Sequence, residues 1–248
     1  MDKQFLLERF SDMCATNHAE LHGPVRGIVL RFHGLGHKVN LATDMVFKVA
    51  MSACTANGIL FIFPFYNPWS WMNKKTVDFI DALLDVAAEL YHLDKDVPLG
   101  IYGGSMGGYS ALTYAIEGKH KVKSIALNCP CCNMEYELFD HKHTSITRSY
   151  FESAMSDCAD FPAYIRAKSP LNRVAELPKI PYRFAMGLKD ATLLPEKHGL
   201  AMASKMEAAG LDVSLKCYAE VGHCNHSEED YTTEYTWLCE KVKEQGNG

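Results

Sequence analysis

A serine flanked by glycines is the residue of this chain best placed to do chemistry. Ser105 lies in Gly103-Gly-Ser-Met-Gly107, between an apolar run at 98–102 and a helical pattern at 107–117. On such a sharp strand-to-helix turn the serine hydroxyl is raised above the sheet edge, and only small flanking residues fit. The pattern predicts a nucleophile. A chance glycine-rich turn and a phosphate-binding loop are the alternatives, although the phosphate-loop spacing and its Gly-Lys-Ser/Thr ending are missing.

A histidine that activates the serine is expected later in the chain. In enzymes with this turn, an acidic residue and then the histidine follow the serine. Three histidines lie near the last predicted strand and helix: His198, His223 and His226. We favour His223, which follows the strand at 213–218 by a short loop. His198 falls inside a predicted helix, and His226 is expected to face solvent.

The acid is expected at the end of the strand before that histidine. Asp190 ends Gly187-Leu-Lys-Asp190, directly after the apolar run at 182–186. There it would accept the imidazole N–H and fix the tautomer that takes the serine proton. A turn or helix-capping aspartate is the alternative role, and Asp160 and Glu220 are weaker candidates for the acid.

Two backbone amides are expected to stabilise the oxyanion. The amide of Met106 follows the serine and begins the next helix, and the second amide comes from the loop after the first strand in such enzymes. That loop is His33-Gly-Leu-Gly36, and we assign the donor to Leu35. A plain β-turn is the alternative interpretation of this loop.

Aromatic residues follow the second predicted strand at the same edge of the sheet as the serine. Tyr66, Trp69 and Trp71 lie in Phe65-Tyr-Asn-Pro-Trp-Ser-Trp71. They are candidates for lining an apolar substrate pocket. Ordinary packing is an equally good explanation for each of them.

A cluster of cysteines follows the fourth predicted strand. Cys129-Pro-Cys-Cys132 contains a Cys-x-x-Cys pair, which can indicate a redox site, or a zinc site shared with His223-Cys-Asn-His226. We favour buried packing, because free cysteine behaves as a small apolar residue and no second Cys-x-x-Cys is present. We therefore expect no bound metal.

These residues need a parallel sheet to bring them together. Six apolar runs, separated by helical patterns, predict six strands with helices on both faces. The runs are 25–32, 59–65, 98–102, 122–128, 182–186 and 213–218, and the main helical patterns are 3–14, 40–56, 76–93, 107–117, 195–209 and 228–243. The segment 129–176 is too long for a simple connection. We interpret it as a partly helical cap insertion within one domain spanning 1–248.

Composition excludes several classes of protein. The 248 residues are 48% hydrophobic and 22% charged, with a net charge of −5, so no basic surface for nucleic acid or anionic lipid is expected. No apolar run is long enough to span a membrane, and no secretory leader is recognisable. Nine cysteines, an odd number, favour a reducing compartment. We expect a cytoplasmic protein that acts on a small molecule, and a homodimer is kept open.

Together the motifs resemble the α/β-hydrolase superfamily and, within it, the prolyl-oligopeptidase-like branch and its related small esterases. The matching stretches lie between about 25 and 243 and are His33-Gly-Leu-Gly36, Gly103-Gly-Ser-Met-Gly-Gly108, residues 169–181, Gly187-Leu-Lys-Asp190 and Val221-Gly-His223. The resemblance implies an α/β-hydrolase fold with about six mostly parallel strands, the first two of the full sheet being absent.

The chain departs from that branch in two ways. It has no room for the propeller domain of the full-length peptidases, and Met106 stands where their turn often carries an aromatic residue. Both departures favour an esterase acting on small molecules over a peptidase. The predicted reaction, hydrolysis of carboxylic esters through an acyl-enzyme on Ser105, needs no cofactor. The alternatives are an aminopeptidase-like activity, a thioester hydrolase, and a catalytically silent binding protein of the same fold.

Overall fold

The computed structural model describes residues 3–36, 41–155 and 157–245 and contains one mostly parallel sheet. Its seven strands, in chain order, are β1 (Cys14–Thr16), β2 (Ile28–Phe32), β3 (Leu60–Pro64), β4 (Leu99–Gly104), β5 (Val122–Asn128), β6 (Tyr182–Gly187) and β7 (Val213–Tyr218). Their order across the sheet is β1-β3-β2-β4-β5-β6-β7, and only β1 is antiparallel to its neighbour. The mostly parallel α/β-hydrolase sheet is therefore confirmed.

All six predicted strands are present, and β1 is an addition. One helix was predicted over residues 3–14. The structure instead has two short helices there, followed by this three-residue edge strand, which begins at Cys14. Cys14 pairs with Pro64, and the Phe65 amide donates to the Met13 carbonyl at 2.7 Å. So short a strand carries too few residues for alternation to reveal it.

Helices cover both faces of the sheet. They are α1 (Lys3–Glu8), α2 (Phe10–Met13), α3 (Met45–Ala56), α4 (Lys74–Leu90), α5 (Met106–Glu117), α6 (Thr144–Ala154), α7 (Phe161–Lys168), α8 (Gly199–Ala208) and α9 (Glu228–Gln245). Helices α3 and α9 pack on one face, where Tyr102 stacks on Tyr235, and α4, α5 and α8 pack on the other. Strands β2 to β6 are almost wholly buried, as their continuous apolar runs predict. The edge strand β7 is largely exposed, because it has a neighbouring strand on one side only.

Two helix starts differ by more than two residues from the predicted positions. The predicted start at Asn40 lies outside the described residues; α3 begins at Met45, where the Asp44 side chain accepts the Phe47 amide at 2.9 Å. Helix α8 begins at Gly199 and not at Pro195. Its preceding residue, His198, is held by contacts of its own and does not belong to the helix.

The carboxyl ends of the parallel strands meet at one edge of the sheet, where ligands bind in open α/β sheets. The segment 129–176, called here the cap segment, leaves this edge after β5 and contains α6, α7 and a π-helical turn at Tyr136–His141. Within the described ranges, no helix combines the length and apolar character needed to cross a bilayer.

Candidate active site

Ser105 occupies the turn between β4 and α5. Its backbone has a φ of 55° and a ψ of −122°, a conformation that L-residues rarely adopt. The Ser105 amide donates to the Asn128 carbonyl at 2.9 Å, and the Cys131 amide donates to the Ser105 carbonyl at 3.0 Å. The end of β5 therefore holds the strained serine in place from the neighbouring strand.

The glycines of this turn are required by close backbone contacts. A Cβ on Gly103 would lie 2.1 Å from the Gly107 oxygen, and a Cβ on Gly107 would lie 2.3 Å from the Phe32 oxygen. Both obstructing atoms belong to backbone and cannot rotate away. Any larger residue would therefore displace α5 from β4 or β2.

We expect Gly107→Ala to lower the free energy of unfolding by about 2–3 kcal/mol, because the added methyl group overlaps the Phe32 carbonyl. Urea denaturation followed by circular dichroism measures the change. Gly222→Ala is the matched control, since its Cβ would make only an ordinary 3.8 Å contact with the Lys189 oxygen. Equal stability of the two variants would contradict the proposed overlap.

The structure brings the three predicted catalytic side chains into one hydrogen-bonded chain. His223 Nε2 lies 2.9 Å from Ser105 Oγ, and His223 Nδ1 lies 2.6 Å from Asp190 Oδ2. Each residue follows a different strand: Ser105 follows β4, Asp190 follows β6 and His223 follows β7. Residues up to 118 positions apart therefore meet at the same sheet edge.

Asp190 is held as a carboxylate at the far end of this chain. Its side chain is fully buried, and its Oδ1 accepts the amides of Thr192 and Leu193 at 2.8 and 2.9 Å. Burial alone would raise its pKa, but the His223 hydrogen bond and these amides outweigh that and lower it. The aspartate therefore stays anionic at neutral pH, and its contribution to stability is lost only as the pH falls through that lowered pKa.

The two predicted oxyanion donors lie beside the serine. Met106 is the first residue of α5, so its amide has no acceptor within the helix. Leu35 lines the cavity next to Ser105, and a Cβ on Gly34 would lie 3.9 Å from that of Ser105. Within the described residues, neither amide donates to a backbone or side-chain acceptor of the protein. No acceptor in the described part of the chain therefore competes with a ligand oxygen for either amide.

A cavity of about 640 Å³ opens over Ser105. Apolar side chains on the α5 face of the sheet form one part of its wall, and polar side chains toward the α3 and α9 face form another. The former include Phe32, Leu35, Trp71, Cys131, Ile146 and Leu193; the latter include Arg31, Thr43, Asp44, Tyr102, Asn128 and Tyr231. This volume is in the range of small-molecule sites, roughly 300–1,000 Å³.

Of the three aromatic residues expected to contact substrate, only Trp71 lines the cavity. Its indole N–H donates to Ser149 Oγ in the cap segment at 2.9 Å. Tyr66 instead stacks on His33, with ring centroids 4.0 Å apart, and supports the loop that carries Leu35. Trp69 is 45% exposed and lies outside the cavity. The structure thus corrects the predicted positions of Tyr66 and Trp69.

The two alternative histidines have other contacts. His226 is buried and not solvent-facing, and its Nδ1 accepts the Asn128 side-chain amide at 2.8 Å. Burial lowers its pKa, so it is neutral at pH 7. His198 is also fully buried, and its Nδ1 accepts the amides of Cys132 and Asn133. Neither histidine hydrogen-bonds to Ser105.

His198 reveals a buried polar cluster that the sequence did not indicate. Because its Nδ1 accepts two amides, its proton must lie on Nε2, which donates to Glu137 Oε1 at 2.7 Å. The second oxygen of Glu137 lies 3.1 Å from His141 Nδ1. This cluster joins the start of α8 to the cap segment. Three separate stretches supply it, so no single motif could have predicted it.

Arg31 and Asp44 also line the cavity and were not predicted. Arg31 Nη2 donates to Asp44 Oδ2 at 2.8 Å, and both side chains are largely buried. A lone charge within the apolar run of β2 was the available signal, because a buried charge requires a partner. The position of that partner, at the start of α3, follows only from the fold.

The cysteines after β5 point in different directions. Cys131 Sγ contacts Met134 Sδ, and Cys132 Sγ faces the Pro130 carbonyl, so these two pack within the protein. Cys129 instead lies beside Cys224. A hydrogen bond with the Cys224 thiol lowers the pKa of the Cys129 thiol although burial opposes it, and the same contact raises the pKa of Cys224.

Comparisons with solved structures place this fold among hydrolases. An acylaminoacyl peptidase from Pyrococcus horikoshii superimposes with a TM-score of 0.67 at 14% identity, covering 89% of this chain and 37% of the peptidase. An S-formylglutathione hydrolase from Agrobacterium tumefaciens superimposes with a TM-score of 0.67 at 15% identity, covering 89% of this chain and 86% of that hydrolase. The esterase rPPE superimposes with a TM-score of 0.66 at 18% identity, covering 89% of this chain and 76% of the esterase. At these identities the likeness shows the fold alone.

Two of the matching structures belong to much longer chains. This chain covers 37% of the acylaminoacyl peptidase and 34% of a puromycin hydrolase, about a third of each length. No curated protein sequence matches it significantly. The sequence model of the prolyl oligopeptidase family, however, matches residues 66–245, a stretch that contains Ser105, Asp190 and His223. Because this match covers well over half of the chain, the protein belongs to the prolyl oligopeptidase family of serine hydrolases.

Proposed function

We propose that this protein hydrolyses carboxylic esters of small molecules through an acyl-enzyme on Ser105. The observation that carries the proposal is the hydrogen-bonded chain from Asp190 through His223 to Ser105, with distances of 2.6 and 2.9 Å, beneath an open cavity. A serine, a histidine and an acid in this geometry are the elements of nucleophilic acyl transfer.

Each residue has one role in the proposed reaction. Asp190 accepts a hydrogen bond from the Nδ1–H of His223, which leaves the Nε2 lone pair facing Ser105 Oγ. As Oγ attacks the ester carbonyl, Nε2 takes the serine proton. The imidazolium then returns that proton to the departing alcohol, and the acyl group remains on Ser105.

The developing oxyanion is bound by the amides of Leu35 and Met106. Amide donors fixed before the reaction stabilise the tetrahedral intermediate without reorganising. Water then attacks the acyl-enzyme with His223 again as the base, and the same two amides bind the second oxyanion. Release of the acid regenerates Ser105.

The lining of the cavity supports an ester with an apolar acyl group. Trp71, Ile146 and Leu193 form an apolar wall, and the cavity volume suits a small molecule. An alcohol is also an easier leaving group than an amine, so the same three side chains cleave an ester faster than the corresponding amide. The nine cysteines are all free thiols, and we place the enzyme in the cytoplasm.

A substrate with a free amino terminus fits this cavity less well. Among the described lining residues, Asp44 is the one carboxylate, and it is already paired with Arg31 at 2.8 Å. Binding an ammonium group there would require breaking a largely buried ion pair, which is strongly unfavourable. This argument favours an ester over an aminopeptidase substrate.

Two alternatives within serine hydrolases follow from the comparisons. The family match and the acylaminoacyl peptidase favour cleavage of an amide, and the S-formylglutathione hydrolase favours a thioester. Both reactions would use the same three side chains. The acyl and leaving groups therefore have to be distinguished with substrates.

The proposed nucleophile is tested with a fluorophosphonate probe. We expect the probe to label the wild-type protein at Ser105, as mapped by peptide mass spectrometry, and to leave Ser105→Ala unlabelled. Ser110→Ala, a buried serine in α5, is the control and should be labelled like the wild type. A folded wild-type protein that resists the probe would favour the catalytically silent binding protein.

Substrate pairs that share an acyl group test the ester assignment. We expect p-nitrophenyl esters to have a higher kcat/KM than the corresponding p-nitroanilides and thioesters, with apolar acyl groups preferred. A series graded by acyl length and aromaticity then locates the limit set by Trp71. A higher kcat/KM on an aminoacyl anilide would overturn the ester proposal in favour of a peptidase.

A further inference from the structure

Three side chains that could serve as metal ligands meet beside the proposed catalytic serine. Cys129 Sγ, Cys224 Sγ and His223 Nε2 all lie within 4.8 Å of one another, and Cys224 Sγ is 4.0 Å from Nε2. Within the part of the chain that the structure describes, no other group of three or more potential ligands comes together in this way. The proposed ester hydrolysis does not use either thiol.

The two cysteines are held in this arrangement by the backbone. Cys129 follows β5 with a φ of 41°, and the Gly187 amide donates to its Sγ at 3.4 Å. Cys224 has a φ of 50°, and its Sγ donates to the Asn128 carbonyl at 3.5 Å. Positive φ values at two non-glycine residues are maintained only where the surrounding structure enforces them.

The distances suit a tetrahedral ion after a small adjustment. With Zn–S and Zn–N bonds of about 2.3 and 2.0 Å, the three ligand atoms would lie roughly 3.5–3.8 Å apart. Contraction from the present spacing is therefore less than about 1.5 Å. Cys224 and His223 line the cavity, so an ion can enter from solvent and keep its fourth position for water.

The histidine is also oriented as a metal ligand. Its Nδ1 is hydrogen-bonded to Asp190, which fixes Nε2 as the free nitrogen. Zinc-binding histidines usually donate their other N–H to a carboxylate in this way, and the contact strengthens the ligand. The same hydrogen bond that prepares His223 as a base therefore prepares it to bind a metal ion.

We propose that Cys129, His223 and Cys224 form an inhibitory site for a thiophilic divalent cation such as Zn²⁺. Two thiolates and one imidazole are the donor set that zinc prefers. A bound ion would occupy the Nε2 lone pair, so His223 could no longer take the Ser105 proton. Inhibition rests on the proposed function, whereas binding of the ion does not.

Direct binding is the first test. Zn²⁺ titrated by calorimetry into the reduced, metal-free protein should bind at one equivalent per chain, and Co²⁺ should produce thiolate-to-metal charge-transfer absorption. Cys129→Ala and Cys129→Ser should each weaken Zn²⁺ binding by at least about tenfold, the effect expected when a thiolate ligand is removed. Thermal unfolding verifies that each variant is folded.

The chain offers a matched control in a second pair of close thiols. Cys54 Sγ and Cys239 Sγ lie 3.7 Å apart, but within the described ranges they belong to no group of three or more potential ligands. Cys54→Ala should therefore bind Zn²⁺ like the wild type. Equal binding by Cys129→Ala and wild type, or loss of binding in Cys54→Ala, would overturn the proposed site.

Inhibition is tested separately with the fluorophosphonate probe. Zn²⁺ should block labelling of the wild-type protein, and a chelator should restore it, while Cys129→Ala should be labelled in the presence of Zn²⁺. Labelling that persists with Zn²⁺ bound would refute inhibition. If the protein fails to react with the probe even without Zn²⁺, the proposed function fails, and calorimetry still decides the metal site.

Discussion

Replacing His223 with alanine is expected to lower kcat for ester hydrolysis by about a millionfold, the loss found when the base of such a triad is removed. His223 Nε2 lies 2.9 Å from Ser105 Oγ, and among the histidines that the structure describes no other one hydrogen-bonds to that hydroxyl. Without it, the serine stays protonated and is a weak nucleophile. The residual rate would come from the oxyanion donors and substrate binding. Steady-state kinetics on a p-nitrophenyl ester measures the change.

His226 provides the matched control, because it lies three residues away and was the other candidate in the same loop. We expect His226→Gln to retain kcat within about tenfold, since its ring contacts Asn128 and not the serine. The double variant Ser105→Ala/His223→Ala should lose no more than either single variant, because residues that act as a unit are not additive. A larger loss of kcat in His226→Gln than in His223→Ala would show that His226, and not His223, acts as the base.

The sheet and the positions of the three catalytic candidates could be predicted because each depends on a local pattern. A parallel strand buried on both faces is a continuous apolar run, and its carboxyl end lies at a known edge of the sheet. Ser105 and Asp190 each follow such a run, and His223 follows the more exposed edge strand β7. All three strands are parallel, so the topology alone brings these residues near each other. The distances of 2.6 and 2.9 Å required the structure.

Side-chain direction could not be predicted in the same way. Tyr66, Trp69 and Trp71 all follow β3, and their order along the chain does not show which of them turns inward. Positive φ values at Trp71 and Met72, of 48° and 47°, turn the chain so that only the last of the three rings enters the cavity. Trp71 then packs edge-to-face on Tyr150 of the cap segment.

The sequence suggested a zinc site shared between residues 129–132 and 223–226 only as a less favoured alternative, because it could not show which side chains of these distant segments meet. Cys129 and Cys224 are separated by nearly a hundred residues, and neither belongs to a recognisable metal motif with the other. The pairing of β5 with β6 and of β6 with β7 sets their separation. The Cys-x-x-Cys of Cys129 and Cys132 suggested a different pair, which the structure separates: Cys132 Sγ faces the Pro130 carbonyl.

Asp190→Asn is expected to lower kcat by about ten thousandfold while leaving the protein folded. Asp190 Oδ1 accepts two amides, from Thr192 and Leu193, so an asparagine would keep its oxygen there. The NH₂ group of the asparagine would then face His223 Nδ1. Because this group donates, Nδ1 would have to be the unprotonated nitrogen that accepts the hydrogen bond. The imidazole proton would move to Nε2, which could no longer take the proton of Ser105.

Two carboxylates provide matched controls for this change. Asp160 caps α7 by accepting the Ala163 amide, and Glu220 pairs with Lys189 at the surface. Asp160→Asn and Glu220→Gln should each keep kcat within a fewfold, because neither contacts His223. ¹H NMR of the imidazole N–H protons gives a second measurement, since the Asp190→Asn change should shift the proton from Nδ1 to Nε2. Unchanged kcat with the proton still on Nδ1 would show that Asp190 does not set the tautomer.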